Sequence, residues 1–142
     1  MKTVADLLRD KGGEVFSVSS DVSVFDAIKE MAEKQVGSLV VMERDKLVGI
    51  LTERHYARRV VLEGKSSPEI PVRDIMETRV VCVSPDKTIE ECMAIMTDKH
   101  VRHLPVLDHK RLVGVVSIGD LVKSIIADQR FTIEQLEHYI HG

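Results

Sequence analysis

Residues 114–120 read "GVVSIGD", between an apolar run and a helical pattern, and residues 49–55 carry a near copy, "GILTERH". Working outward from these heptads, residues 18–56 align with residues 83–121 at a constant offset of 65 and without a gap. Eleven of the 39 pairs are identical, among them Asp21/Asp86, Met31/Met96, Leu39/Leu104 and Gly49/Gly114. Upstream, "VADLL" (4–8) matches "VRDIM" (72–76) at an offset of 68, so the first copy holds three extra residues around "KGGE". Similarity that runs through apolar stretches and turns alike marks a tandem duplication.

Both copies predict the same order of elements. A β-branched run (15–18; 80–83) leads through turn chemistry, "SSDVS" or "SPDKT", into the capping-box patterns "SVFD" (23–26) and "TIEE" (88–91). The helices that follow place Ala27, Ile28 and Met31, or Cys92, Met93 and Met96, on one face. Two strands come next, "SLVVME" and "KLVGIL" or "HLPVLD" and "RLVGVV", joined by the polar turns "RD" and "HK". A second helix closes each copy, with Tyr56, Val60 and Val61, or Leu121, Ile125 and Ile126, turned inward. The expected class is α/β (α+β), with two β-α-β-β-α repeats packed as a pseudo-two-fold pair. The repeats fall at 1–66 and 67–128, with "LEGKSSPEIP" (62–71) as the polar linker. A helical tail, 129–142, reads as a dimer contact.

Composition narrows the partners. Among 142 residues, 44% are hydrophobic and 30% charged, the balance of a globular protein, and the net charge is -3. That sign disfavours nucleic acid, and the absence of Trp disfavours a base-stacking platform. The only cysteines, Cys82 and Cys92, form no CxxC, so a reducing cytoplasm is expected. "MKTVADLLRDKGG" has no signal-peptide core, and no apolar run suits a membrane.

The repeated heptad admits two readings. Ser117 and Asp120 form an S-x-x-D capping box, with Thr52 capping alone in the first copy, which makes the motif structural. The same geometry also suits a nucleotide. A helix N-terminus seats phosphate, and a carboxylate one turn in accepts hydrogen bonds from both ribose hydroxyls. His55 stands where the first copy would need that carboxylate; a neutral imidazole cannot replace it, and a protonated one would sit near phosphate.

With "VRDIM", "VRHLPVLD" and "GVVSIGDLV" inside a doubled β-α-β-β-α unit, the chain resembles a CBS-domain pair, or Bateman module. "GILTERHYARRVVLEGKSS" is similar to small stand-alone members without an attached enzyme. The resemblance implies a non-enzymatic regulatory module for adenosyl ligands: AMP foremost, or ADP, ATP, NAD(H) or S-adenosylmethionine, with no metal required. It implies one cleft with Ser117, Asp120, Lys11, Phe16, Gly37 and Ser38, and another with Thr52, Val81, Arg102 and His103. Arg102 would reach a ligand in either. It also implies a homodimer, with modules face to face through their helices, acting on an unidentified regulated protein.

The remaining candidates read as ordinary structure. His100 and His103 lack a completing ligand for a metal, and His138 and His141 share one face of the tail helix. Cys82, Cys92 and the methionines at 31, 93 and 96 read as packing, and "ERHYARR" (53–59) as a solvated basic face, with Arg54 or Arg58 the residues placed to meet a phosphate.

Overall fold

The computed structural model describes residues 2–141, with the backbone alone at His141. The chain divides into two compact units, and these cut across the repeats. The amino-repeat unit holds Glu14–Val81 together with His109–Val113, a hairpin turn and the first three residues of the strand after it. Among the described residues the carboxy-repeat unit holds 2–13, Cys82–Asp108 and 114–141.

In the amino-repeat unit, β1 (Ser17–Val18) precedes α2 (Val24–Lys34), which follows the helix α1 (Val4–Lys11) of the other unit. The strands β2 (Ser38–Glu43) and β3 (Lys46–Thr52) complete a sheet of order β1-β2-β3, with β1 parallel and β3 antiparallel to β2. A bulge falls between Val41 and Met42, and Arg44 and Asp45 turn the hairpin at positive φ, 50° and 63°. Both signs suit the right-handed strand twist. The helix α3 (Glu53–Tyr56) then runs into a π-helical turn, Ala57–Val61. Val24, Ala27 and Met31 of α2 close on Leu39, Val41 and Leu51 of the sheet and on Val60, Val72 and Ile75.

The carboxy-repeat unit contains α4 (Ile89–Lys99), β4 (His103–Asp108), the part of β5 (Arg111–Ser117) from Gly114 onward, and α5 (Ile118–His141). Its buried side chains include Val4 and Leu7 of α1, Cys92 and Met96 of α4, Leu104 and Val106 of β4, and Leu121 of α5.

The units cut across residue 66 because the two lead segments, around "VADLL" (4–8) and "VRDIM" (72–76), pair with the opposite repeats. Val4 N–H donates to Lys87 O (2.8 Å) and Ile89 N–H to Lys2 O (3.1 Å). One repeat earlier, Val72 N–H donates to Val22 O and Val24 N–H to Ile70 O, each at 2.8 Å. The conserved spacing also explains the heptad's glycines. A Cβ on Gly49 would lie 2.6 Å from Met76 Sδ, and one on Gly114 would lie 2.6 Å from Leu8 Cδ2. Met76 and Leu8 are equivalent positions of the two lead segments, so each glycine is a slot for one side chain.

Several expectations need correction. The run 80–83 makes no strand, only a parallel bridge between Val83 and Val106. In the first repeat Val40 N–H donates to Phe16 O (3.3 Å) and so extends the parallel ladder. The equivalent residue in the second is Pro105, which has no N–H to give Val81. Val61 is 55% exposed and Ile126 42% exposed, rather than inward. The π turn rotates Val61 away while Val60 takes the core position, and on α5 the inward face runs through Leu121 and Ser124. The tail is no separate helix: α5 continues unbroken for 24 residues.

Candidate functional site

At the end of β5 the chain turns into α5, and this junction holds most of the polar side chains singled out in the second repeat. Asp120 N–H donates to Ser117 Oγ (3.1 Å), and Ser117 N–H donates back to Asp120 Oδ2 (2.8 Å), so the capping box is complete. Ile118 N–H donates to Arg102 O at 2.9 Å, which ties the helix start to the residue preceding β4. From the end of α1, Lys11 Nζ reaches Asp120 Oδ2 at 2.7 Å and Val115 O at 2.9 Å. Lys11 is the last residue of the two-turn helix α1, at the start of the stretch "KGGE" that carries the three-residue insertion.

Burial opposes ionisation of Asp120, but the bonds from Lys11 and Ser117 outweigh it and hold its carboxyl below the usual carboxylate range. His103 is half-buried, and burial lowers its pKa; Arg102 and Lys11 push the same way against Asp120. The site therefore presents a neutral imidazole and an ionised carboxylate at neutral pH. Both contacts on the carboxylate fall on Oδ2, and Oδ1 takes part in neither. One helical turn further, Ser124 is buried and its hydroxyl has no hydrogen-bond partner among the described residues.

The first repeat builds the same junction with different chemistry. His55 N–H donates to Thr52 Oγ1 and Thr52 N–H donates to His55 Nδ1, both at 3.2 Å. Thr52 therefore does not cap alone, because His55 fills the acceptor's place in a complete capping box. An accepting Nδ1 carries no proton, so this imidazole holds its hydrogen on Nε2. Burial lowers the His55 pKa, Arg59 adds to the effect, and Glu77 opposes it. A protonated His55 is thus disfavoured in this structure. Ser38 pairs with Thr52 across β2 and β3, and Gly37 O accepts from Glu53 N–H at 3.1 Å.

The ten sequence candidates thus divide five and five. Lys11, Arg102, His103, Ser117 and Asp120 belong to the carboxy-repeat unit, where bonds or charge interactions join them. Phe16, Gly37, Ser38, Thr52 and Val81 belong to the other unit. There Phe16 packs against the core with Lys34 Nζ 5.5 Å from its ring centre, and Val81 lies in no strand. A groove of about 580 Å³ in the same unit is lined by Val15, Ser17, Met42, Asp45 and residues 109–112, with none of the ten among them.

Sequence reasoning missed Arg59. Its guanidinium bonds to Ile75 O (2.8 Å), Met76 O (3.3 Å) and Glu77 Oε2 (3.1 Å), clamping the second lead segment, whereas the sequence placed it on a solvated face. The equivalent position in the second repeat is Ser124. That difference was visible in the alignment but is interpretable only once the lead segment is seen beside it. Both thiols are pushed up by burial, which suits packing at Cys92 and Cys82. His100 occupies the left-handed C-cap of α4, and the His141 side chain lies outside the described residues.

Residues 4–62 and 72–127 each match the family model of the CBS domain. The chain belongs to the CBS-domain family. This CBS pair is 38% identical to the mitochondrial CBS domain-containing protein CBSX3 of Arabidopsis thaliana, over 99% of the chain and 72% of that protein. A candidate signal-transduction protein with CBS domains from Burkholderia ambifaria MC40-6 shares 50% identity and superimposes with a TM-score of 0.87, covering 90% of this chain and 96% of that one. The CBS pair is also 35% identical to part of an inosine-5'-monophosphate dehydrogenase of Methanocaldococcus jannaschii, over 78% of the chain but 21% of that enzyme. Similar CBS pairs therefore occur both in small proteins and within an enzyme. No helix among the described residues is long and apolar enough to cross a membrane.

Proposed function

We propose that this CBS pair is a regulatory sensor, not an enzyme, that binds an adenine nucleotide through Ser117 and Asp120 and acts on a partner protein as a homodimer. The observation that carries the reading is the ionised, half-buried Asp120 at the start of α5, whose Oδ1 is spent on neither the cap nor Lys11. Ribose hydroxyls are donors and need such an acceptor. Lys11, already at the carboxylate, is a flexible cation that can swing toward a phosphate, and Arg102 lies at the same junction. The buried Ser124 hydroxyl adds a polar group in want of a partner one turn away. AMP is the first ligand to test; ADP, ATP, NAD(H) and S-adenosylmethionine share its adenosyl part. His55 leaves the first repeat without the acidic acceptor, so one site per chain is expected. A ligand regulates only if it prefers one state of the dimer or of the partner complex.

A second reading is favoured by the completed capping box: Ser117 and Asp120 do no more than end a strand and begin a helix, and the protein is an adaptor. Calorimetric titration with AMP, ATP and NAD(H) separates the two. On the sensor reading wild type binds near one equivalent, Asp120→Ala loses binding, and saturating ligand raises the melting temperature of wild type alone. On the adaptor reading Asp120→Ala lowers the melting temperature, and no nucleotide raises it in wild type. Binding that survives Asp120→Ala unchanged refutes the ribose contact.

A further inference from the structure

From Ile126 to Ile140 α5 is exposed at every residue, and with Val122 a turn earlier it is apolar in a pattern. Val122, Ile126, Ile133, Leu136 and Ile140 are 41%, 42%, 54%, 57% and 73% exposed. At 3.6 residues per turn these five fall within about 80° of arc, a stripe some 27 Å long. The stripe is distinct from the inward face of α5, which runs through Leu121 and Ser124. Phe131, also exposed, points to the opposite side of the helix from the stripe, by the same 3.6-residue arithmetic. A helical end with no packed face gains little from propensity alone, since most helical stability comes from burying such a stripe.

The spacing identifies the partner. Ile126, Ile133 and Ile140 recur every seven residues, and Val122, Gln129 and Leu136 fall at the intervening positions of a heptad seam. β-branched Ile at every a position, with Leu136 at one of the three d positions, follows the preference of parallel two-stranded coiled coils. No seam position carries a charge, so an acidic or basic partner gains nothing there. The one polar member, Gln129, needs an amide opposite it once buried, and an in-register second copy supplies the Gln129 of its own chain.

We infer that the stripe from Val122 to Ile140 pairs with the same stripe of a second copy, as a parallel two-fold coiled coil. The inference names the surface of the homodimer proposed above and rests on that reading. Two measurements on the full chain test it. In sedimentation, wild type should be a dimer, and Ile133→Glu, a change at an already exposed position, should raise the dissociation constant roughly tenfold or more with unchanged circular dichroism. Under mild oxidation Gln129→Cys should form a covalent dimer much faster than Phe131→Cys or wild type. A monomeric wild type overturns both the homodimer and the stripe. A wild-type dimer that Ile133→Glu leaves intact, or equal cross-linking at 129 and 131, overturns the stripe and spares the homodimer.

Discussion

The two strand-to-helix junctions share backbone geometry and differ in charge. In each, a hydroxyl residue caps the helix, the residue three further on accepts from its backbone N–H, and a carbonyl preceding the inner strand takes the first helical N–H. In the second repeat the acceptor is a carboxylate joined to Lys11; in the first it is a neutral imidazole near the Arg59–Glu77 pair. Duplication kept the cap and released the charge. A capping box needs only a lone pair at the third position, which aspartate and unprotonated histidine both supply, whereas a ribose needs an acceptor with oxygens to spare.

The sharpest way to break this comparison is to give the first repeat the second's proline. Val40→Pro removes the Val40 N–H···O bond to Phe16 from a paired strand and should cost about 3 kcal/mol, read by urea denaturation. The reverse change, Pro105→Val, should leave stability within about 1 kcal/mol and add hydrogen-exchange protection at residue 105.

Next in size are the glycine slots. Gly49→Ala and Gly114→Ala should each destabilise by about 1–3 kcal/mol. Gly49→Ala should cost more, because its methyl also meets the Glu77 carbonyl at 3.1 Å, where the Gly114 methyl meets only the Leu8 side chain. Equal costs would mean that Met76 and Glu77 shift freely. A smaller effect, about 1 kcal/mol, is expected for His55→Ala and for the cap part of Asp120→Ala, with nucleotide binding lost only in the second.

The gentlest probe is pH. His55 and His103 both titrate below their ordinary value, so the unfolded chain takes up protons before the folded one does. Their contribution to stability is complete above about pH 6.5 and is lost as pH falls from there through the lowered folded values. The melting temperature should drop over that window, and His55→Gln should flatten part of the drop. Imidazole resonances should place both residues below 6.5; His55 titrating above it would contradict the accepting Nδ1.

Much of this protein was legible in its sequence, for a physical reason: helix caps, hairpin turns and apolar periodicity are local, and a repeat states each of them twice. The capping boxes at Thr88 and Ser117, the turns at 44–45 and 109–110, the inward faces of α2 and α4, and the CBS family itself follow from neighbours within a few residues. Tertiary structure decided what depends on distant partners. Only the fold shows that each lead segment pairs with the opposite repeat, that Lys11 ends on Asp120, and that Arg59 holds the carbonyls of residues 75 and 76. The missing strand at 80–83 depends on a hydrogen that Pro105 lacks some 24 residues away, which no local pattern of β-branched residues can register.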